Sequence, residues 1–236
     1  MSAFRFKKFA VEHRNSSMKV GTDAVLLGAI AGVRDAERIL DVGTGCGVIA
    51  LALAQRTEAE IHAIDIDNDS VQEALQNFSN SPWHNRLTAQ ITSFQLFAEK
   101  SSPACDIVVS NPPFFQNALP SPVASRNLAR HNQALSFQDF AKACKNVLKP
   151  DGEAWVIIPV SESHAFIRNM IYLGFRVFYQ MQIYPKPNHP ANRCILGFTS
   201  LTNDVIYEEL TLTIRNSDGS YSEGYKNITA EFYIHF

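Results

Sequence analysis

The chain has 236 residues, 46% of them hydrophobic and 19% charged, with a formal net charge of -2. That composition supplies a full core and excludes a disordered chain. The near-neutral balance excludes a uniformly basic nucleic-acid coat, though not a local basic patch.

Four cysteines (Cys46, Cys105, Cys144, Cys194) stand singly, with no CxxC pair and no histidine at zinc-ligand spacing, so neither a disulfide framework nor a bound metal is expected. The start, Met1 to Lys8, lacks the apolar centre of a signal peptide. The longest apolar run, around Val25 to Ile30, falls far short of the ~18 residues of a membrane span. The expectation is a cytoplasmic chain with no membrane contact and no obligate protein partner.

The first nineteen residues hold Arg5, Lys7, Lys8, Arg14 and Lys19 against one acid, Glu12, with Phe4, Phe6 and Phe9 interleaved. Such a mixture suits phosphate contact with base stacking. It suits equally a short extension whose phenylalanines pack inward while its lysines stay solvated.

Short apolar runs then alternate with helical patterns, the signature of βαβ units and a mostly parallel sheet. Ala24 to Ile30 reads as a helix. Arg38 to Val42 is a first strand, ending in the turn Gly43-Thr44-Gly45-Cys46-Gly47, and a helix runs from Val48 to Gln55. Glu60 to Ile64 is a second strand, Asp69 to Phe78 a helix, and Leu87 to Ile91 and Asp106 to Ser110 are strands three and four. A long irregular stretch, Asn111 to Leu135, follows; loops of that length in a compact domain are usually functional. Phe137 to Leu148 is helical and stops at Lys149-Pro150-Asp151-Gly152, before strand five, Glu153 to Pro159. Phe175 to Tyr184, Cys194 to Leu201 and Glu209 to Ile214 read as consecutive strands without a long helix between them, an antiparallel edge on a parallel sheet. No repeat or linker divides the chain. One domain over 1–236 is expected: an N-terminal basic segment and helix (1–36), a cofactor-binding and catalytic core (37–160) and C-terminal strands (161–236).

The glycine turn lets backbone approach a ligand at the crevice of a doubly wound sheet. Asp65, twenty residues beyond Gly45, stands just past the second strand, where a carboxylate can take both hydroxyls of a ribose. Together they indicate a nucleoside-containing cofactor. A dinucleotide fingerprint would require glycine where Val48 stands, so NAD is the second choice. Glycine at every second residue after Asp41 is similar to the first motif of class I methyltransferases, which use S-adenosylmethionine. Many of those place an acid after strand three; here Thr92 and Ser93 occupy that place, next in line with Asp65 and Ile66 as the nucleoside side of the site.

Ser110-Asn111-Pro112-Pro113-Phe114 follows strand four directly. A planar amino group is a poor nucleophile because its lone pair is delocalised. The Asn111 side-chain oxygen and the Pro112 carbonyl can accept its two N–H bonds and aim the lone pair at a sulfonium methyl, while Phe114 stacks on the flat substrate. Asn111 is expected among the cofactor-binding residues as well, with Asp41 and the turn glycines Gly43, Gly45 and Gly47.

Asn-Pro-Pro-Phe with this glycine loop is shared by DNA and RNA adenine-N6, ribosomal guanine-N2 and protein glutamine-N5 methyltransferases. A further segment, Met18-Lys19-Val20-Gly21-Thr22-Asp23-Ala24-Val25-Leu26-Leu27-Gly28-Ala29, together with Asp41 to Gly47 and Ser110 to Phe115, resembles the bacterial tRNA1(Val) adenine-37 N6-methyltransferase family. Ala129-Arg130-His131 and Pro190-Ala191-Asn192-Arg193 extend the likeness. The resemblance implies methyl transfer from S-adenosylmethionine to N6 of the tRNA adenosine beside the anticodon. It also implies a Rossmann-like α/β fold, a mostly parallel seven-stranded sheet with antiparallel C-terminal strands and helices on both faces. By the same match Thr22 and Asp23 lie over the methionine portion of the cofactor; helix capping is their plainer role. Ribosomal guanine-N2 methylation is the nearest alternative, then glutamine-N5 methylation, then a non-catalytic nucleotide-binding module.

Two further basic groups are candidates for RNA contact: Arg126, Arg130 and His131 on the long loop, and Lys186, His189 and Arg193 near the tail strands.

Overall fold

The computed structural model describes residues 3–16, 19–33, 35–100, 104–112, 135–201 and 206–235. An N-terminal hairpin pairs β1 (Phe4–Arg5) with β2 (Ala10–Val11) in antiparallel fashion. Helix α1 (Thr22–Ile30) leads into β3 (Arg38–Val42), α2 (Val48–Ala54), β4 (Glu60–Asp65), α3 (Asn68–Ser79), β5 (Leu87–Ile91), α4 (Phe94–Lys100) and β6 (Cys105–Ser110). A helix at Phe137–Val147 precedes β7 (Leu148–Pro159), and a helix at Val160–Tyr172 precedes β8 (Arg176–Tyr184). Then come β9 (Arg193–Thr199), β10 (Glu208–Thr213) and a short helix, Glu223–Thr229.

Strands β3 to β10 form one sheet in the order β10-β8-β9-β7-β6-β3-β4-β5. Its strands alternate their faces with period two. Ile39 faces a core with α1, α2, Phe78 and Tyr225, whereas Leu40 faces another with Phe94, Phe137, Phe140 and Phe166. Helices therefore cover both faces, as expected of a Rossmann-like chain.

Two details of the sheet depart from expectation. This sheet has eight strands, not seven, among the described residues, and only β9 runs against the others. β8 returns parallel because the helix Val160–Tyr172 carries the chain back across the sheet, the crossover that a parallel strand needs. Its buried Ser163, Phe166 and Met170 mark a helical stripe that sequence reading passed over. β10 then adds to β8 in parallel as the eighth strand.

The expected turn at Lys149–Gly152 is a bulge inside β7, not a break before it. Leu148 pairs with Cys105 and Glu153 with Ile107, so the intervening residues loop out against Asp106. A side chain at Gly152 would meet the carbonyls of Cys105 and Asp106 at 3.1 Å, which explains the glycine there.

Candidate active site

Strand order reverses between β3 and β6, the place where open α/β sheets leave a crevice at their carboxyl ends. Val42 pairs with Ser110 in that register, so the glycine turn and Asn111 emerge side by side. Ser110 is fully buried, and its hydroxyl donates to the Val42 carbonyl at 2.8 Å. The two strand ends are thereby buttoned together.

A cavity opens at this edge. Lys19 and Gly21 form one wall with Thr22, Asp23 and Ala24 at the start of α1; Gly43 to Cys46 form another with Val48 and Ile49, and Asn111 completes the lining. Thr22, Asp23, Gly43, Gly45 and Asn111 thus meet around one space. Pro112 follows, half-buried. Phe114, Arg126, Arg130 and His131 lie outside the described residues. Lys19, Val48 and Ile49 had not been singled out for this wall; only Lys19 carried a signal, its place inside the Met18 to Ala29 segment.

The three glycines of the turn do different work. Gly43 has φ +72, and a Cβ built on it would meet nothing within 4 Å, so the space beside it is the cavity itself. Gly45 has φ +55. Gly47 has φ +83, but a Cβ there would stand 2.5 Å from the Phe78 ring. It is absent from the cavity lining. Its missing side chain lets α3 pack against the turn.

Two carboxylates brace the turn. Asp41 is wholly buried beneath it, and its Oδ2 accepts from the Thr44 hydroxyl at 2.6 Å. Burial pushes its carboxyl up to about 7, with the Thr44 bond pulling the other way. Asp65 braces the turn from β4: Oδ2 accepts from the Gly45 amide and Oδ1 from the Asp67 amide, both at 2.9 Å. Its pKa is raised, by burial first, with those amides opposing. Each oxygen retains a lone pair for a further donor. Ile66, next in sequence, is half exposed. Thr92 donates its backbone N–H to the Asp65 carbonyl at 2.9 Å, and Ser93 Oγ accepts from the Leu96 amide at 3.2 Å in the first turn of α4. Asp65, Ile66, Thr92 and Ser93 adjoin the turn but stand outside the cavity lining.

Neither Thr22 nor Asp23 caps α1. Gly21 holds the capping position, with no side-chain bond to the helix. The Asp23 carboxylate instead accepts from Arg193 Nε at 2.7 Å. Arg193, expected on an RNA surface, is therefore tied into the cavity wall.

Two of the N-terminal phenylalanines, Phe6 and Phe9, are not available for stacking on a base. Phe6 and Phe9 are buried and stacked on each other at 4.5 Å, with Phe6 against Tyr233 and Phe9 against Trp83. Lys7 Nζ donates to the Ala230 carbonyl, and Arg14 pairs with Glu12, while Arg5 and Lys8 are exposed. The helix Glu223–Thr229 begins at the carboxyl end of β10, where Ser222 Oγ donates to the Thr213 carbonyl, and the chain just past it meets the end of α2 away from the glycine turn, where Gln55 Nε2 donates to the Glu231 carbonyl at 3.0 Å. Lys7 sits at the far end of that helix. Lys186 and His189 are exposed on the connection after β8, at the cavity's own edge.

Comparison with known proteins decides the family. Residues 16–175 match the family described as Methyltransferase small domain. A tRNA1(Val) (adenine(37)-N6)-methyltransferase of Bacteroides fragilis is 40% identical over 98% of this chain and 97% of its own. That of Trichodesmium erythraeum is 36% identical over 99% and 98%. The chain belongs to this methyltransferase family. Solved structures agree on the fold. One described as a predicted O-methyltransferase from Agrobacterium tumefaciens aligns with a TM-score of 0.67 at 16% identity, covering 89% of this chain and 96% of that one. A ribosomal protein L11 methylase from Lactobacillus delbrueckii subsp. bulgaricus aligns at 0.52 and 17%, covering 75% and 76%.

As a class I methyltransferase the protein uses S-adenosylmethionine, and the cavity suits that cofactor. Gly43 leaves open room at the turn, where a Cβ would meet no protein atom within 4 Å. Asp23 lines the cavity and Asp65 adjoins its turn, and both carboxylates suit a ligand that carries a sulfonium and an ammonium. No helix among the described residues is long and apolar enough to cross a membrane, and no cluster of three metal-ligating side chains occurs among them.

Proposed function

We propose that this methyltransferase acts on N6 of an adenosine in tRNA, the position-37 adenosine of tRNA1(Val). The relatives that span its whole length carry that name. The observation that supports the chemistry is the convergence of Asn111 with the glycine turn on one cavity, through the paired ends of β6 and β3.

When bound, S-adenosylmethionine supplies an activated methyl group. On this reading Asp65 takes the ribose hydroxyls, Ile66 lies against the adenine, Thr92 and Ser93 offer polar atoms beyond it, and Thr22 and Asp23 face the methionine end. The Asn111 side-chain oxygen and the Pro112 carbonyl accept the two N–H bonds of the target amine and turn its lone pair toward the methyl carbon. The nitrogen–carbon bond forms as the sulfur–carbon bond breaks. The amine, briefly cationic, then gives its proton to water. No strong base is required, so the rate comes from alignment and from dipoles matched to the developing charge. Phe114 completes the reading as the ring on which the base stacks.

For the RNA, Lys186 with His189 is the preferred contact, because it stands at the cavity's edge. Arg14, on the segment that leads into the cavity wall, and Arg5 and Lys8 on the N-terminal hairpin are further contacts; Arg126, Arg130 and His131 belong to the sequence that follows the catalytic motif.

Incubation with methyl-labelled cofactor and separated tRNA and rRNA, followed by nucleoside analysis, tests this directly. N6-methyladenosine in tRNA is expected. N2-methylguanosine in rRNA, or label in RNase-resistant protein, would replace the reading with a different substrate.

A further inference from the structure

Helix α3 carries two polar side chains that packing has closed off almost completely, Glu73 at 4% and Asn77 at 2% exposure. They stand one helical turn apart and so share a face. Glu73 Oε1 accepts from the backbone N–H groups of Arg14 at 2.7 Å and Asn15 at 3.0 Å, and Oε2 accepts from Ser16 at 2.9 Å. Three consecutive amides converge on one carboxylate, an anion nest filled by the protein's own side chain. Burial alone would raise the Glu73 pKa, but the three amides prevail and hold it below the usual carboxylate range.

Asn77 uses both ends of its carboxamide. Oδ1 accepts from the Glu12 amide at 2.8 Å, and Nδ2 donates to the Glu12 carbonyl and to the Cys46 carbonyl, each at 2.8 Å. Cys46 belongs to the glycine turn. One side chain therefore ties the N-terminal segment to the turn.

The geometry points to Glu73 and Asn77 as positioning residues that set the width of the cofactor cavity. The segment they grip ends at Ser16, three residues before Lys19, so the cavity wall begins within ~11 Å of the anchor even if the chain is fully extended. The Val20 amide donates to His13 Nδ1 at 3.1 Å, which folds the segment back on itself. Lys19, Gly21 and Asp23 make one wall of the cavity and Cys46 belongs to the other. Glu73 and Asn77 do not line the cavity themselves, yet they fix both walls to one helix. The inference rests on the cavity being the cofactor site, and it adds two residues to that site's support.

The test uses full-length Glu73→Gln and Asn77→Asp, with S-adenosylhomocysteine as the calorimetric probe and kinetics at saturating tRNA. Glu73→Gln keeps one acceptor oxygen but turns N–H groups toward the Ser16 amide; affinity should fall about 5–10-fold. Asn77→Asp sets a carboxylate against two carbonyls, and the loss should reach about 30-fold or more. Asn77→Ser, which buries no charge, covers the case in which Asn77→Asp does not fold, and should also weaken binding about tenfold. The KM for S-adenosylmethionine should rise in step, with kcat at saturating cofactor within about threefold of wild type. Unchanged affinity beside a lowered melting temperature would make the contacts merely structural and overturn the inference, as would a loss confined to kcat. Failure of the unaltered protein to bind the probe would instead sink the cavity assignment.

Discussion

Arg193 and Asp23 are joined by a 2.7 Å ion pair although 170 residues separate them in the chain. The pair links the first residue of β9 to the first turn of α1, and so couples the tail of the protein to the wall of its cavity. Both side chains are about one-third exposed, which limits their contribution to stability to about 1 kcal/mol or less.

Arg193→Gln should therefore leave the melting temperature nearly unchanged and raise the KM for S-adenosylmethionine about 5–10-fold by freeing Asp23. Arg193→Lys should rescue this only in part, since the bond uses the lateral Nε–H that lysine lacks. A KM at the wild-type value in both variants would detach the pair from cofactor binding.

Asn111→Ala should lower kcat by about 100-fold or more, corresponding to roughly 3 kcal/mol for one lost transition-state partner. Affinity for S-adenosylhomocysteine should fall far less, because the two bonds that the carboxamide and its neighbour accept come from the amine, although Asn111 also lines the cofactor cavity. Full activity in this variant would end the proposed mechanism.

Asp41 predicts a pH dependence. Its carboxyl rises from 3.8 to about 7 in the folded chain, chiefly through burial. The fold holds that proton more tightly than the unfolded chain does, so the stabilisation is complete below pH 3.8 and is lost as pH climbs through about 7. The melting temperature of cofactor-free protein should fall between pH 5 and pH 8, a range chosen to bracket that value, and the fall should be clearly smaller in Asp41→Asn. Parallel pH profiles for the two proteins would contradict this.

Gly43→Ala and Gly47→Ala should separate ligand space from packing space. The first accepts a Cβ without touching protein, so stability should drop only about 1–2 kcal/mol, from the left-handed backbone. Cofactor binding should suffer more. The second adds a collision with Phe78 to similar strain, and its stability should drop further, by about 3 kcal/mol or more. Chemical denaturation and calorimetry on both variants distinguish the two patterns.

For RNA, Lys186→Ala should weaken tRNA binding and reduce the salt slope by about one. Lys7→Ala should do neither, since Lys7 is held by the Ala230 carbonyl at the far end of the last helix. Phe6→Ala should cost about 3–5 kcal/mol of stability, as for a buried core ring. A slope that responds to Lys7 and not to Lys186 would move the RNA surface to the hairpin.

The strands that carry the site were legible because an apolar run stands beside a glycine or proline signal, as at Arg38 to Gly47 and Asp106 to Pro112. The tail was harder to read. The helix Val160–Tyr172 buries only Ser163, Phe166 and Met170, a stripe too sparse to stand out beside strong strand runs, and missing it left β8 without its crossover. Asn111 and the turn could be placed from local motifs. The task of Gly47 could not, because it depends on Phe78 arriving from another helix. Nor could that of Arg193, whose partner lies at the other end of the chain.

The hydroxyl of Ser110 on the carbonyl of Val42 gives the sheet itself the role of a gauge. Neighbouring strands keep a separation of about 4.8 Å, so the peptide that cradles the donor and the peptide that receives the acceptor are held at a span that no hinge adjusts. Evolution toward a different nucleobase or protein amide would then proceed through the surrounding connections, leaving this span untouched.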